Sequence, residues 1–383
     1  MHSNDESTFL FQLNVTRRCN LRCTHCYIDS DKKDVSPDWT PEEFFHVIDG
    51  ICEYLTTDYN GPRKYSRAEV HVIGGEPSEL GIPFFSQVLG YASSAFDALP
   101  HEIELSIVTN LLTPTALEVA RMFDTVSTSF EIATRFNKPK QQRMWESNVR
   151  TLFQEISNIP DRKLAVTCAA VRPTVDYGAE NLLNYLFDLG FRHMHLGFFI
   201  PSGDGLKNMN DVAVSHEETS QFYIDSFDWY LKKRSEVWLN PMEGWIKSLR
   251  LGKSQDDVVC PIVSGALDID GDGNTISCIE KGGELDYDSI GNLFERNDGV
   301  IASDAGAFST TVSDILDSPA YLVEVAKANS LNPVCRSCEY QQLCVGNCGV
   351  LHGYWDESGE CPGFKKFIDY VRTNLEKHDL QVR

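Results

Sequence analysis

Residues 19–26 read Cys-Asn-Leu-Arg-Cys-Thr-His-Cys, and they follow an apolar segment at residues 9–15 that is typical of a buried β-strand. Three thiols spaced four and three residues apart on one loop can each hold one corner of a cubane iron–sulfur cluster and leave the fourth iron open. The alternative is a zinc knuckle, but a closed zinc site needs a fourth Cys or His, and His25 is poorly placed to close it. The segment therefore predicts an iron–sulfur loop at the end of the first strand.

Alternating strand and helix patterns continue from this loop as far as residue 200. The capping box that starts at Thr40 opens an amphipathic helix through Leu55, and Gly190 is expected to end a helix that begins near Glu180. Further strands are predicted at residues 69–73, 103–108, 125–130, 164–171 and 193–200. Six strand–helix alternations predict an α/β fold with a partial (β/α)6 TIM-type barrel, in which chemistry takes place at the C-terminal ends of the strands.

The overall composition narrows the class of protein. The chain has 383 residues, of which 42% are hydrophobic, and its 34 basic against 56 acidic side chains give a net charge of −22. Such a chain can bury a large core, and it argues against nucleic acid as a partner, because that ligand needs basic surfaces. No run of about 18 apolar residues could span a bilayer, and the acidic N-terminus is unlike a secretory signal, so we expect a cytoplasmic protein without membrane partners. In a reducing compartment, twelve cysteines favour metal binding or redox chemistry over disulfides.

Three further motifs follow the next three predicted strands. Gly74-Gly75-Glu76-Pro77 comes after the second strand, Thr109-Asn110 after the third, and Ser129 with Glu131 after the fourth. Together with the cysteine loop they resemble the radical S-adenosylmethionine (SAM) superfamily, whose signature is a CxxxCxxC loop after the first strand of a partial barrel. The resemblance extends to about residue 200, and it implies that these motifs contact SAM, with the GGEP turn and Glu76 at its amino group.

The resemblance also implies a specific cofactor chemistry. Cys19, Cys23 and Cys26 would hold a 4Fe–4S cluster whose open iron chelates SAM. An electron from that cluster would cleave SAM to methionine and a 5′-deoxyadenosyl radical, with a flavodoxin or ferredoxin as the expected reductant. Either Arg135 or Arg143 would pair with the SAM carboxylate, and the spacing does not choose between them.

Seven more cysteines lie in the last third of the chain. In order they are Cys260, Cys278, Cys335, Cys338, Cys344, Cys348 and Cys361. Their spacing resembles the SPASM domain, which holds two auxiliary 4Fe–4S clusters, and a zinc ribbon is the alternative, although seven ligands would leave one of its sites short. The resemblance assigns the outer cluster to Cys335, Cys338, Cys344 and Cys361. It assigns the inner cluster to Cys260, Cys278 and Cys348.

The inner cluster would have only three cysteine ligands in this chain. Some relatives supply a fourth a few residues before Cys260, where this chain has Ser254-Gln255-Asp256-Asp257. Either a carboxylate, Asp256 or Asp257, completes the cluster, or one iron stays open to substrate or water. The open site is our expectation.

A short acidic motif in the same region resembles the start of a calcium-binding loop. Residues 268–273 read Asp-Ile-Asp-Gly-Asp-Gly, but the twelfth position, which needs a bidentate Glu, is Ile279. We therefore exclude calcium and predict a tight turn between two hairpin strands at residues 266–269 and 274–278.

The resemblance fixes the class of reaction and leaves the substrate open. Relatives with a SPASM domain mostly modify peptides, so the leading hypothesis is a peptide maturase that makes an oxidative carbon–carbon (cyclophane) or thioether crosslink in a ribosomally made precursor. The alternatives are a sulfatase-type formylglycine maturase, a small-molecule dehydrogenase and, from a different class, a non-catalytic iron–sulfur electron carrier. Sulfatase-type relatives place an Asp directly after the inner-cluster cysteine; this chain has Ile279 there, and Glu280, one residue later, is the candidate base.

Five segments are predicted along the chain. They are an N-terminal tail at 1–8, the radical SAM barrel at 9–214, bridging helices at 215–255, the SPASM domain at 256–365 and a C-terminal helix at 366–383. Because the barrel pattern begins at residue 9, we expect no N-terminal leader-binding domain. Recognition of a precursor peptide would then use a separate leader-binding protein or surfaces of the barrel and SPASM domain.

Overall fold

The ten strands of the described chain belong to one sheet. The computed structural model describes residues 7–33, 35, 37–57, 65–156, 159–160, 162–282, 288–296, 308–330 and 332–383. Over these residues the strands are β1 (Ser7–Thr16), β2 (Tyr65–Gly74), β3 (Glu102–Val108), β4 (Thr125–Ser129), β5 (Lys163–Ala170), β6 (His193–Phe198), β7 (Trp238–Asn240), β8 (Ala266–Ile269), β9 (Asn274–Ile276) and β10 (Gly291–Asn292). Hydrogen-bonded neighbours follow the order β10-β9-β8-β1-β2-β3-β4-β5-β6-β7.

Strands β1 to β7 are parallel and lie side by side in chain order. Parallel neighbours need crossover connections, and helices supply most of them. The helices are α1 (Ser30–Lys33), α2 (Pro41–Thr56), α3 (Gly81–Phe96), α4 (Ala116–Ala120), α5 (Pro139–Ile156), α6 (Arg172–Tyr177), α7 (Ala179–Leu189), α8 (Gly203–Lys207), α9 (Met209–Val212), α10 (His216–Lys233), α11 (Met242–Leu251), α12 (Pro261–Ser264), α13 (Ile279–Gly282), α14 (Val312–Leu316), α15 (Pro319–Ala328), α16 (Gln341–Cys344) and α17 (Lys365–Lys377). This mostly parallel α/β arrangement confirms the predicted fold class.

Local sequence signals set several helix ends. The side chains of Thr40 and Ser215 accept hydrogen bonds from the backbone N–H groups of Glu43 and Glu218, so the capping boxes of α2 and α10 are both present. Gly190 ends α7 with a left-handed φ of 117°, as predicted.

The cysteine-rich region continues the barrel sheet instead of standing apart from it. Strand β8 pairs in parallel with β1, and β9 turns back antiparallel to β8, which confirms the predicted hairpin. The turn between β8 and β9 carries Asp270 and Asp272, and both carboxylates accept hydrogen bonds from the buried guanidinium of Arg17. The acidic motif therefore pairs with an arginine beside the N-terminal cysteine loop.

Alternation along the strands separates the two faces of the sheet. On β1, Phe9 and Phe11 are buried in the main hydrophobic core. Gln12 lies on the opposite face, in one cross-strand row with His71 of β2 and Asp268 of β8. Three neighbouring strands therefore contribute polar side chains to the inner face of the barrel, where the site described below lies.

The predicted C-terminal helix is α17, which packs against α10 and α11. The segment boundaries drawn from the sequence stay predictions. Within the described ranges, the structure contains no helix with the length and apolar character that crossing a membrane requires.

Candidate functional site

The three N-terminal cysteines lie on the loop after β1, at the C-terminal end of the parallel strands. Burial raises the pKa of the Cys19 thiol to about 11 and that of Cys23 to about 12. The neighbouring Cys26 thiol adds to the rise of both pKa values, and the backbone N–H of Leu21 donates to Cys19 Sγ at 3.4 Å. Buried thiols are costly to ionise unless a positive charge is near, and iron would supply that charge. The three thiols of this loop therefore fit a sulfur-ligated iron cluster.

Lys33 is a buried cation beside these thiols, and the sequence analysis missed it. Its side chain is 1% exposed, hydrogen-bonds to Cys26 and lies 3.5 Å from Oδ2 of Asp204. Asp204 also accepts a hydrogen bond from the backbone N–H of Ser30 at 2.9 Å, which ties α1 to α8. A short helix of Ser, Asp and Lys is typical of a solvated surface, so the local sequence carries no signal for this burial.

The GGEP turn packs directly against the segment that leads into the cysteine loop. The backbone N–H of Gly75 donates to the carbonyl of Thr16 at 2.7 Å, and that of Glu76 donates to Arg18 at 2.8 Å. A Cβ atom on Gly75 would lie 2.3 Å from the carbonyl oxygen of Arg17. Glycine is therefore required here for the close approach of the two backbones, while Pro77, which is buried, begins the short 3-10 helix that follows.

The Glu76 carboxylate connects the ends of β2 and β3. It is fully buried and accepts hydrogen bonds from Thr109 Oγ1 and from the backbone N–H of Asn110, both at 2.6 Å, and from the backbone N–H of Ser78 at 3.1 Å. The Asn110 side chain in turn lies 3.9 Å from Cys19 Sγ. The structure thus brings the GGEP turn and Thr109-Asn110 together at the cysteine loop. That these two motifs contact SAM stays a prediction.

A buried ion pair from the loop after β4 completes this edge of the site. Glu131 lies 2.8 Å from Arg135 and 3.1 Å from the His25 ring. Although burial alone would raise the pKa of Glu131, the Arg135 guanidinium and the hydrogen bond from the His25 ring lower it to about 2. The thiol of Cys23 contacts the backbone carbonyl of Arg135 at 3.7 Å.

The structure places Arg135 and Arg143, the two candidate partners of the SAM carboxylate, in different surroundings. The guanidinium of Arg135 is 15% exposed. It is close enough to the Cys23 and Cys19 thiols for its positive charge to interact with their ionised forms. Arg143 lies exposed on α5. Ser129, at the end of β4, is partly buried.

The four thiols predicted for the outer cluster meet around one small cavity. It is lined by Cys335, Cys338, Cys344 and Cys361. A Cβ atom on Gly363 would lie 2.8 Å from Cys344 Sγ, so the backbone closes over this cavity. Four converging thiols fit a fully cysteine-ligated cluster.

The three thiols predicted for the inner cluster lie on a larger cavity of about 440 Å3 that reaches the inner face of the barrel. Burial raises the pKa of all three thiols, that of Cys348 to about 12. Gln12, His71 and His195 line the barrel side, and apolar walls are formed by Leu196, Phe198, Ile200, Trp245, Val258 and Val259. Asp256 also lines this cavity, while the side chain of Asp257 lies outside the described residues.

Two carboxylates face the same cavity, that of Asp268, which is buried, and that of Glu280, which is partly buried. Burial raises the pKa of Glu280 to about 7, and its Oε2 accepts a hydrogen bond from Ser202 Oγ at 2.8 Å. Burial also raises the pKa of Asp268 to about 8, and its Oδ1 has no hydrogen-bond partner in the described structure. Sequence reasoning proposed Glu280 but missed Asp268, because its position depends on the pairing of β8 with β1.

Tyr27 lies between the two sets of cysteines. It follows Cys26 directly, its hydroxyl group is buried, and the charges of Cys26, Glu280 and Asp268 all act on it. Among the residues that the structure describes, no three Cys, His, Asp or Glu side chains are close enough to hold a single metal ion. A cluster places each thiol on a different iron, so its ligands stand farther apart around a cavity. None of the described cysteines forms a disulfide.

Comparison with protein-family models and with curated proteins found no match to this chain. Solved structures do match, and they show that the chain has the fold of radical SAM SPASM proteins, as the sequence motifs predicted. One is an anaerobic sulfatase-maturating enzyme, anSMEcpe, with bound AdoMet and the Cp18Cys peptide; the TM-score is 0.71 at 15% identity, over 97% of this chain and 98% of that chain. Another is SuiB of Streptococcus suis bound to its precursor peptide SuiA, with a TM-score of 0.60 at 13% identity, over 92% of this chain and 74% of that chain.

Proposed function

We propose that this protein is a radical SAM peptide maturase that forms an oxidative carbon–carbon (cyclophane) or thioether crosslink in a ribosomally made precursor peptide. The observation that carries the proposal is the contact of residues 202–205 with both sites: the backbone N–H of Gly205 donates to the carbonyl of Cys26 at 3.0 Å, and Ser202 Oγ donates to Glu280 Oε2 at 2.8 Å. Radical generation and the removal of a second electron would then take place at neighbouring sites. Peptides bound in the anSMEcpe and SuiB structures support a peptide substrate.

The proposed cofactors are SAM and three 4Fe–4S clusters. Cys19, Cys23 and Cys26 would hold the SAM-binding cluster, and the other seven cysteines of the predicted set would hold the inner and outer clusters. When bound, these groups supply a 5′-deoxyadenosyl radical from reductive cleavage of SAM and an acceptor for the electron left on the substrate. A flavodoxin or ferredoxin is the proposed external reductant.

The side chains around the cysteine loop have proposed roles in holding SAM. The GGEP turn, Thr109, Asn110, Ser129 and Glu131 form the binding edge. Arg135 is the proposed partner of the SAM carboxylate, because its guanidinium lies beside the cluster thiols whereas Arg143 is exposed on α5. Because Glu131 holds one side of the Arg135 guanidinium, the orientation of the remaining N–H groups is fixed.

Glu280 is the proposed base of the reaction. A new bond between two peptide atoms removes two hydrogens, one as a hydrogen atom and the other as a proton and an electron. Glu280 faces the cavity, and its hydrogen bond from Ser202 fixes the carboxylate in position to accept that proton. The largely apolar cavity wall would exclude water from the radical intermediate on the peptide.

A sulfatase-type formylglycine maturase is the second candidate. The match to anSMEcpe covers 97% of this chain and 98% of that chain, whereas the match to SuiB covers 92% of this chain and 74% of SuiB. The fuller match favours the sulfatase-type candidate. The presence of Ile279 directly after Cys278 counts against it.

The first experiment tests the reaction class. The anaerobically reconstituted, reduced protein should produce 5′-deoxyadenosine from SAM, and Cys23→Ala should abolish this product. Cys52→Ala is the matched control, because Cys52 lies on α2 and is half-buried away from the predicted clusters. Cys338→Ala should keep the cleavage but lose peptide modification. Protein with intact clusters that yields no 5′-deoxyadenosine would contradict the proposal.

The second experiment identifies the substrate and the bond. The chain is co-expressed with each small open reading frame next to its gene, and intact peptide masses are recorded with and without Cys23→Ala. Loss of two hydrogens, or a multiple of two, from a peptide that does not react with a hydrazide probe supports crosslinking, because oxidation of serine to an aldehyde also removes two hydrogens. Conversion of a cysteine or serine side chain to an aldehyde would instead support the sulfatase-type candidate, and unmodified peptides would exclude both among these substrates.

A further inference from the structure

The inner cluster proposed above has three cysteine ligands, and the structure contains a fourth candidate that is not a cysteine. Asp268 lines the same cavity as Cys260, Cys278 and Cys348. The backbone N–H of Ile279, the residue directly after Cys278, donates a hydrogen bond to the Asp268 carboxylate, which places Asp268 beside that cysteine. This inference rests on the proposed function, because it requires that the three thiols hold a cluster.

The sheet fixes the direction of the Asp268 side chain. In the parallel ladder Asp268 pairs with Gln12 of β1, and Gln12 pairs with His71 of β2, so the three side chains share the inner face. On its other edge Asp268 is paired with Ile276 of β9, two residues before Cys278. Asp268 is therefore held by strands on both sides and cannot turn to solvent.

One oxygen of the Asp268 carboxylate accepts no hydrogen bond, and the described residues that line the cavity include no cation to balance its charge. Asp268 is 4% exposed. The backbone N–H of Ile279 donates a hydrogen bond to its carboxylate, but Oδ1 has no hydrogen-bond partner among the described residues. Of the described residues that line the cavity, none is a lysine or an arginine. A buried carboxylate without a partner is costly, and an iron ion at the open corner of a cluster would supply the missing positive charge.

The other acidic side chains near the three thiols are less suited to this role. Glu280 also faces the cavity, but Ser202 donates a hydrogen bond to its Oε2. Asp256 is exposed to solvent on the short 3-10 helix Asp256–Val258. Asp268 alone combines near-complete burial, a rigid strand position and an unpartnered oxygen among these three.

We propose that Asp268 is the fourth ligand of the inner auxiliary cluster, bound through the oxygen that lacks a partner. The inner cluster would then be fully ligated by the protein, in contrast to the open site expected from the sequence. It would have no iron free for the substrate, and its role would be to accept an electron at a distance.

The test measures whether an iron of the inner cluster is free to bind an added thiol. The background protein carries Cys19→Ala, Cys23→Ala and Cys26→Ala, which removes the open iron of the barrel cluster. In this background the electron paramagnetic resonance spectrum of the reduced clusters is recorded during titration with 2-mercaptoethanol. We expect Asp268→Ala and the isosteric Asp268→Asn to respond at lower thiol concentrations than the background protein, and Asp268→Cys to show no response. Glu280→Gln is the matched control and should behave as the background protein does.

Two kinds of failure are distinguished by counting iron. If Cys260→Ala and Cys278→Ala lose no iron relative to the background protein, the inner cluster itself is absent and the proposed cofactor set is wrong. If the inner cluster is present but the background protein and Asp268→Ala respond to the same thiol concentration, the cluster is open and Asp268 is not its ligand. A response created by Glu280→Gln instead would assign the ligand to Glu280 and overturn the inference.

Discussion

At the residue scale, the ion pair between Glu131 and Arg135 shows how one edge of the site is made rigid. The Glu131 side chain is 3% exposed and that of Arg135 is 15% exposed, and the His25 ring of the cysteine loop contacts the same carboxylate. Breaking a buried pair by removing one partner costs about 3–5 kcal/mol, since the other charge stays behind without compensation. Arg135 therefore holds the loop after β4 against the cysteine loop, whether or not SAM is bound.

The first prediction compares Arg135→Gln with Arg143→Gln. In Arg135→Gln we expect weaker SAM binding and a rate of 5′-deoxyadenosine formation that falls about tenfold or more, because the carboxylate partner and the loop geometry are both lost. Arg143 is exposed on α5, so Arg143→Gln should leave both quantities unchanged. Equilibrium binding of SAM and the rate of nucleoside formation are measured on the reconstituted proteins. Equal losses in the two variants would contradict the placement of Arg135.

Residue types and spacing predicted most of these positions, but they could not rank them. The cysteine loop, the GGEP turn and Thr109-Asn110 follow strands that are recognisable from local pattern. The choice between Arg135 and Arg143 depends on how the loop after β4 folds back on Cys23, which spacing does not encode. Lys33 and Asp268 were missed for a related reason, because each is buried by an element distant in the sequence.

At the scale of single elements, the capping box of α10 links helix stability to a measurable pH dependence. Glu218 accepts hydrogen bonds from Ser215, and both of its oxygens accept from the Arg172 guanidinium at 2.7 Å. The hydrogen bonds from Arg172, followed by those from Ser215, lower the pKa of Glu218 from 4.5 to about 2. A carboxylate whose pKa is lowered by folding stabilises the protein above its unfolded pKa and loses that contribution as the pH falls through its folded pKa.

The second prediction follows from that sign. Glu218→Gln should lower the free energy of unfolding by about 1 kcal/mol at neutral pH, since the charge that pairs with Arg172 at the N-terminus of α10 is lost. The difference from the unmodified protein should shrink as the pH falls below 4.5 toward about 2. Glu217→Gln is the control, because its carboxylate makes a surface ion pair with Lys366. Thermal unfolding midpoints across this pH range provide the measurement, and a pH-independent difference would count against the assignment.

Strands and helices were predictable where the information is local. The apolar segments that became β1 to β6 and the helix ends marked by Thr40 and Gly190 are short-range signals, and the structure has each of them. Strand β7 was missed, because three residues, Trp238–Asn240, carry too little pattern to identify a strand. The parallel pairing of β8 with β1 was also missed, since hydrogen bonding between distant segments leaves no local mark.

At the scale of the whole molecule, one continuous sheet joins the two sets of cysteines. The hairpin of β8 and β9 is attached to β1, so the inner-cluster thiols and the cysteine loop are positioned by neighbouring strands. Ion pairs from the buried Arg17 to Asp270, which is also buried, and to Asp272, which is 38% exposed, reinforce this junction two residues before Cys19. The relative position of the proposed clusters therefore depends on a direct connection and not on a linker.

The third prediction tests this connection with two adjacent arginines. Arg17 is 2% exposed and pairs with Asp270, whereas the side chain of Arg18 is 44% exposed and pairs with Asp38. Arg17→Met should lower the free energy of unfolding by about 3–5 kcal/mol, because Asp270 would keep its charge in a buried site. It should also increase protease cleavage in the cysteine-rich region. Arg18→Met should change stability by less than about 1 kcal/mol, because an exposed ion pair contributes little. Both variants are compared by denaturant unfolding and limited proteolysis of the cluster-loaded protein. If the two variants lost equal stability, or if Arg17→Met left the cysteine-rich region as resistant as before, the two cysteine sets would have to be held together by the β1–β8 ladder alone.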